Sequence, residues 1–420
     1  MNRRSTMNQL PRDAPGVSQA LHYVAAGSAT LHYRYTNTQR EPVELWLALP
    51  PELPTQREIR WSWQPALSHI TTDHLGLNRI AYLRLDPGET LAGTVQAQLY
   101  RVVYNRGGSP SAATLDPAER AVYLRSSPQV VLSDDVAAEA QRIVGDAQTP
   151  LEQAYRLHRH LARHYRYRWP PAARGSEAMR RERRGDCGQY SLLYAAWCRS
   201  LGIPCRVLYG SFAYGHLQAH AWNEVFIEGI GWLPVDTSRY QSGAPVPWLA
   251  ELELIMQGVQ NFGSLPADRL AFSIEPDIVL EPPYRNREAP TTAFRMSVGG
   301  RDLAWGFESI DGAAPYLQPL YPRFGPSARP AGHDLLGVWR FSSGWRYYTF
   351  WLLLWLGFGI GLLGTIVHWF GVQIPDLIRS AGWLTGNLAF IRLTGLRLWK
   401  LLLVLLFAVE IVIYLWQAFS

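Results

Sequence analysis

Gly185-Asp186-Cys187-Gly188-Gln189-Tyr190-Ser191-Leu192-Leu193-Tyr194-Ala195-Ala196-Trp197-Cys198-Arg199 is the stretch that decides the fold. Leu192, Leu193, Ala196 and Trp197 recur at helical spacing, and Leu201-Gly202-Ile203-Pro204 ends the element. The pattern predicts a helix with Cys187 in its first turn. There the helix dipole and unpaired amides favour an anion, so an acidic thiol is expected. Gly185 and Gly188 leave room for a substrate backbone. A cysteine so placed is either a nucleophile or an inert buried thiol, and position alone does not choose.

Downstream, His220-Ala221-Trp222-Asn223-Glu224-Val225-Phe226-Ile227 turns at Glu228-Gly229 and returns as Ile230-Gly231-Trp232-Leu233-Pro234-Val235-Asp236. A three-residue loop, Ile227 to Gly229, with Gly229 left-handed, sets Phe226 opposite Ile230 and Trp222 opposite Pro234. His220 then falls opposite Asp236, with Cβ atoms ~4.5–5.5 Å apart. A two-residue loop would place His220 opposite Thr237 and separate the pair. A carboxylate beside the imidazole fixes its tautomer and stabilises imidazolium. A strand histidine with that helper, downstream of a helix-start cysteine, reads as a catalytic base.

Taken together, Gly-Asp-Cys-Gly-Gln-Tyr-Ser, His-Ala-Trp-Asn-Glu-Val-Phe and Gly-Trp-Leu-Pro-Val-Asp-Thr-Ser resemble the transglutaminase-like superfamily over residues 130–240. The resemblance implies a papain-like α+β core, with the helix-start cysteine packed on an antiparallel sheet. It implies Cys187 as nucleophile, His220 as base and Asp236 as the orienting carboxylate. The reaction implied is acyl transfer or hydrolysis at an amide or isopeptide bond of a peptide or protein, through a thioester. The Cys187 backbone amide is one oxyanion donor; Tyr167 and Trp169 are candidates for the second. Members of this group include inactive relatives, so a noncatalytic, peptide- or partner-binding membrane protein is the alternative. No cofactor and no metal is expected, since Cys198, Cys205 and His216 lack zinc-ligand spacing.

The rest of the 420 residues surrounds this core. Residues 1–18 read as a flexible start without an apolar stretch, hence no signal peptide. Residues 19–125 alternate with period two between turn breaks and suggest a β-sandwich-like domain. Ser133-Asp134-Asp135 and Thr149-Pro150 open two helices, the second with Leu157, Leu161 and His164 on one face. Ten arginines between Arg156 and Arg184 precede Cys187, and their field is expected to favour thiolate. Residues 241–324 read as a further β-rich extension and 325–346 as a linker. A net charge of +6 is too small to argue for nucleic acid, and three cysteines exclude a disulfide scaffold.

Tyr347–Val367 runs 21 residues without a charge, enough at ~1.5 Å per residue for a ~30 Å hydrocarbon core. Residues 401–419 form a second apolar stretch broken by Glu410, with 368–400 as the connecting loop. A membrane-spanning helical hairpin is expected, in contact with the lipid bilayer. Buried in lipid, Glu410 calls for protonation, or for a membrane partner or an oligomer that shields it. Four arginines before the first helix balance four basic residues in the loop, so charge does not orient the hairpin. The missing signal peptide and disulfides point to an integral membrane protein with its soluble domains facing the cytoplasm.

Overall fold

The computed structural model describes residues 20–169, 173–216, 219–238, 261–283, 297–298, 301–302, 320–323, 338–342, 345–370, 376–394 and 398–419. The N-terminal strands are β1 (Leu21–Thr36), β2 (Val43–Leu49), β3 (Gln56–Gln64), β4 (His69–Thr72), β5 (Arg79–Leu85) and β6 (Thr90–Tyr104). In β1, Leu31, Tyr33 and Tyr35 are buried while His32 and Arg34 face solvent, the two-residue alternation of a half-buried strand. β6 pairs with β1 and β3; β5 pairs with β2 and β4. Leu31, Tyr33, Leu45, Trp46, Leu47 and Val95 meet in one core between these sheets. This is the expected sandwich.

Helices follow: α1 (Pro117–Val122), α2 (Asp134–Val144) and α3 (Pro150–His164). Ser133 caps α2 at Val136 N, and Thr149 caps α3 at Glu152 N, with Pro150 in the first turn. The buried face of α3 is Ala154, Leu157, His158, Leu161 and Ala162; His164 is exposed, contrary to the sequence expectation. Short strands β7 (Arg166–Tyr167) and β8 (Arg184–Gly185) pair in parallel around α4 (Ser176–Glu182). They deliver the chain to α5 (Cys187–Ser200), which is buried from Gly188 to Arg199.

The sheet under α5 consists of β9 (Cys205–Phe212), β11 (Ala219–Ile227), β12 (Gly231–Val235) and β14 (Arg269–Ile274), in the order β12-β11-β9-β14. Asn223 Nδ2 donates to Ser191 O at 3.0 Å and Tyr194 Oη to Ala154 O at 3.0 Å, fixing α5 between sheet and α3. The core therefore does not end near residue 240, because its fourth strand comes from the supposed extension. Leu270 and Phe272 of β14 enter the sandwich core, while Ala271 and Ile274 enter the core under α5. One strand joins both layers.

The later strands return to the sandwich. β17 (Leu320–Arg323) pairs with β2, and β13 (Ser264–Leu265) with β6. β15 (Ser297–Val298) and β16 (Arg301–Asp302) form a small hairpin. β18 (Val338–Phe341) pairs with β1 on one side and with β10 (Gly215–His216) on the other. Part of the expected 325–346 linker is thus a sheet strand. The stretch 1–18 and residues 325–337 of that linker lie outside the described residues.

Three helices close the chain: α6 (Trp345–Trp369), α7 (Asp376–Thr394) and α8 (Leu398–Phe419). Thr349–Trp369 is long and apolar enough to cross a membrane, and Leu352, Trp355, Leu362 and Leu363 are exposed along it. The described apolar run of α8, Leu402–Ile413, is shorter than a span. Most of the expected 368–400 loop is α7, packed on α6 through glycines. A Cβ on Gly357 would lie 2.3 Å from Gly386 N, and one on Gly382 2.7 Å from Gly361 N.

Glu410 finds its partners on α7: Ser380 Oγ donates to Oε2 at 2.6 Å, and Arg379 Nη2 to Oε1 at 3.4 Å. These partners belong to the same chain, and the Glu410 side chain stays 43% exposed beside them. The sequence reading missed them because it took α7 for loop.

Candidate active site

Cys187 is the first residue of α5, one past the cap. Asp186 caps the helix by accepting from Gln189 N at 3.0 Å, and Arg174 Nη1 donates to its two oxygens at 2.8 and 2.7 Å. Gly185 is required here: a Cβ would lie 2.6 Å from Gln189 Cβ and 2.8 Å from Met179 Sδ. The backbone of Ala221, the residue after His220, lies near the sulfur and favours its anion. Burial, and next the neighbouring Asp186 carboxylate, push the Cys187 thiol up to about 12; the Ala221 backbone and Arg174 lower it by less.

The expectation of an acidic thiol is therefore reversed. The capping residue is itself an anion, which offsets the dipole. Part of the arginine run is also spent on local pairs: Arg156 with Asp146 and Glu152, Arg180 with Glu177, Arg181 with Glu182, Arg174 with Asp186.

His220 Nε2 donates to Asp236 Oδ2 at 2.8 Å, with both side chains buried. The expected register is wrong, yet the contact forms. Ile227 pairs with Gly231, Phe226 with Trp232 and Asn223 with Val235, so the loop is 228–230. Gly229 (φ +76°) and Gly231 (φ +98°) both take positive φ, and the second moves the turn one residue onward. Continued, that ladder would set His220 opposite Ser238, with Asp236 its diagonal neighbour on the same face. Diagonal neighbours are ~7–8 Å apart, within reach of an imidazole and a carboxylate. A slip of two in register keeps the face; a slip of one would have lost it.

The imidazole is stacked between Phe212 (ring centroids 4.8 Å, 20°) and Trp222 (6.0 Å, 19°). With Nε2–H given to Asp236, Nδ1 is the nitrogen left for proton transfer. Asp236 is held from several sides. Ser238 Oγ donates to Oδ1 at 3.3 Å, Arg269 Nη2 lies 3.0 Å from Oδ2, and its own carbonyl accepts from His158 Nε2 at 3.3 Å. Desolvation pushes His158 down to about 4, so it is a neutral donor.

Tyr167 is half-exposed, pairs with Gly185 in β7–β8, and its hydroxyl is pushed up by desolvation and then by the Cys187 charge. It lies in the electrostatic reach of the thiol and stays a protonated donor. Trp169 is half-buried. Nothing described links it to the thiol. Cys198 and Cys205 are buried free thiols.

Sequence reasoning missed Arg269, Phe212 and His158. His158 was legible, since it follows Leu157 on the face that Ala154 and Leu161 define. Arg269 was not, because its nearness to Asp236 depends on a strand pairing across more than thirty residues of chain.

Residues 137–237 match the model of the transglutaminase-like superfamily, so the α5 cysteine, the hairpin histidine and the carboxylate all fall inside or at the edge of the match. Among solved structures, a candidate cysteine protease from Cytophaga hutchinsonii is 16% identical, with TM-score 0.44 over 61% of this chain and 83% of that one. The periplasmic domain of TgpA from Pseudomonas aeruginosa is 21% identical, with TM-score 0.31 over 59% of this chain and 80% of that one. The same domain bound to ethylmercury covers 53% and 76% at the same identity and score. At these identities and scores neither bears on activity. No curated protein matches the chain.

Proposed function

We propose that this chain is a membrane-anchored thiol enzyme that cleaves or transfers amide or isopeptide bonds of a peptide or protein through a Cys187 thioester. The observation that carries the reading is the His220–Asp236 hydrogen bond of 2.8 Å, made beside a helix-start cysteine whose sulfur meets the next residue of the histidine strand.

In the mechanism, Cys187 gives its proton to His220 Nδ1 as sulfur attacks the carbonyl carbon. The imidazolium that forms is stabilised by Asp236 through Nε2–H. The oxyanion accepts from the Cys187 backbone N–H and from Tyr167, favoured over Trp169 as the second donor because its hydroxyl lies in electrostatic reach of the thiol. His220 returns the proton to the leaving amine, and a thioester remains. Water, or a second amine, attacks it with His220 again as base, and Cys187 recovers its proton. A thiol held near 12 makes this proton transfer part of the attack rather than a completed earlier event.

Anchoring rests on α6, and the soluble domains are assigned to the cytoplasmic face. Digestion of residues 1–340 by protease added outside intact cells would overturn that side without touching the chemistry.

The high thiol value also favours a second reading, a peptide-binding protein that does not turn over. Assay of peptide and carboxamide donors, with and without added amines, separates the two. Acyl transfer or hydrolysis lost in Cys187→Ala is expected; full turnover in that variant would end the covalent mechanism.

A further inference from the structure

We propose that Arg269 is a positioning residue of this site: its guanidinium holds Asp236 and neutralises it, so that the resting pair is thiol and neutral imidazole rather than thiolate and imidazolium. The inference rests on the proposed roles of Cys187, His220 and Asp236.

Arg269 and His220 reach the same oxygen, Asp236 Oδ2, at 3.0 and 2.8 Å. The Arg269 side chain is 4% exposed. Its guanidinium lies 5.6 Å from the Phe212 ring and 5.8 Å from the Trp222 ring, the two rings that sandwich the imidazole. Sheet register explains the convergence. Ala271 pairs with Gly210 and Gly210 with His220, so these three share a face. Arg269 and Phe212, each two residues away, point to that face as well. Gly210 keeps the row low: a Cβ there would lie 2.2 Å from Leu270 O and 2.8 Å from Trp222 Cη2. The long arginine side chain crosses this gap to the far edge of the site.

A buried cation is costly unless paired. Here the pairing has a chemical effect. With imidazole neutral, Arg269 and Asp236 cancel; protonating His220 places two cations on one carboxylate. The second cation is therefore held less firmly than it would be on an unshared Asp236. Asp236 is among the charges that act on the Cys187 sulfur, and Arg269 is paired to that carboxylate. Its influence thus runs through the carboxylate and the imidazole.

The test is the pH profile of Cys187 alkylation by iodoacetamide in the full-length protein, read by mass spectrometry. Arg269→Gln is expected to move the profile down by one unit or more, raising alkylation at pH 6 about tenfold. Arg269→Lys keeps the charge and is expected to keep the wild-type profile. In a His220→Ala background the downward shift is expected to vanish, leaving at most an upward one from the uncovered Asp236 charge on the sulfur. An unmoved profile in folded Arg269→Gln overturns the proposal, as does a downward shift that persists without His220. Should Arg269→Gln fail to fold, a folded Arg269→Lys whose profile moves by a unit overturns it equally. Failure of the proposed function looks different: Cys187 would then react no faster in the wild type than in His220→Ala.

Discussion

Gln56 of β3 uses its side-chain amide as a piece of strand against Ala271 of β14: Nε2 donates to Ala271 O at 2.9 Å, and Ala271 N donates to Oε1 at 2.7 Å. Asn78 does the same at Ile274, donating to its carbonyl at 2.8 Å and accepting from its amide at 2.7 Å. An edge strand normally exposes such groups to water or to another chain. Here the sandwich closes the edge of the sheet under α5 with two amides. Gln56→Ala leaves a buried N–H and a buried C=O unmatched, at about 1–3 kcal/mol each. Urea unfolding is expected to show a loss of ~2–4 kcal/mol; a loss under 0.5 kcal/mol would mean that water replaces the amide.

His220→Ala removes the acceptor of the thiol proton. Cys187 then ionises only towards the about 12 set by its surroundings. Alkylation at pH 7 is expected to fall at least ~100-fold and to keep rising with pH through 10. A profile that levels off near pH 8 would show that the thiol is acidic without its base.

Asp236→Asn is expected to lower turnover, and also to destabilise. Arg269 would lose its buried counter-charge and keep only the more exposed Asp268, 3.4 Å from its Nε, which costs roughly 3 kcal/mol. Melting temperature and turnover should fall together in Asp236→Asn, whereas Cys187→Ala should lose turnover and keep its melting point. Cys198→Ala is expected to leave the chemistry alone and to melt slightly lower, since that thiol is buried core.

His158 links stability to acid. Its folded value is depressed to about 4 against 6.5 for a free imidazole. The neutral form is favoured by folding, so this stabilisation is complete above pH 6.5 and is lost as pH falls through 4. Over that window the contribution is roughly 3 kcal/mol. His158→Gln should flatten the acid limb of the stability curve between pH 6.5 and 4; an unchanged limb would place the sensitivity elsewhere.

Two truncations separate anchor from fold. A chain ending at Ser342 keeps β18 and is expected to leave the membrane with Cys187 alkylation intact. One ending before Val338 also strips the strand that pairs with Leu31–Arg34 of β1 and with Gly215 and His216. It should melt lower and react more slowly at Cys187. Equal behaviour of the two would make β18 dispensable.

What the sequence disclosed was local. The cap Asp186, the period of α5 and the Ser133 and Thr149 caps depend on residues within one or two turns of each other, and each helix starts where those residues put it. The His220 hairpin was legible in kind but not in register, because a second left-handed glycine changes the turn by one residue and no local pattern announces which glycine will take it. The thiol's ionisation was misread for another reason. The dipole is visible in sequence, whereas desolvation depends on what packs around the sulfur. Arg269, β17 and β18 lay beyond reach, since strands that close a sheet from distant parts of a chain carry no marker of their partner.

From Phe341, the last residue of β18, to Trp345, the first of α6, the chain takes four steps, at most roughly 14 Å when extended. Phe341 and Arg340 pair with Gly215 and His216, in the connection that leads directly into the His220 strand. With α6 in the bilayer, the His220 hairpin is on a leash shorter than the membrane is thick. Such a leash fixes altitude more than orientation. Chains that hang from the same bilayer meet the site at a local concentration set by geometry, as tethered partners do. A freely diffusing peptide gains nothing from the leash and must find the same few ångströms by chance. Under the proposed function, the anchor would act as a filter on which amides are ever presented, before any pocket has read a side chain.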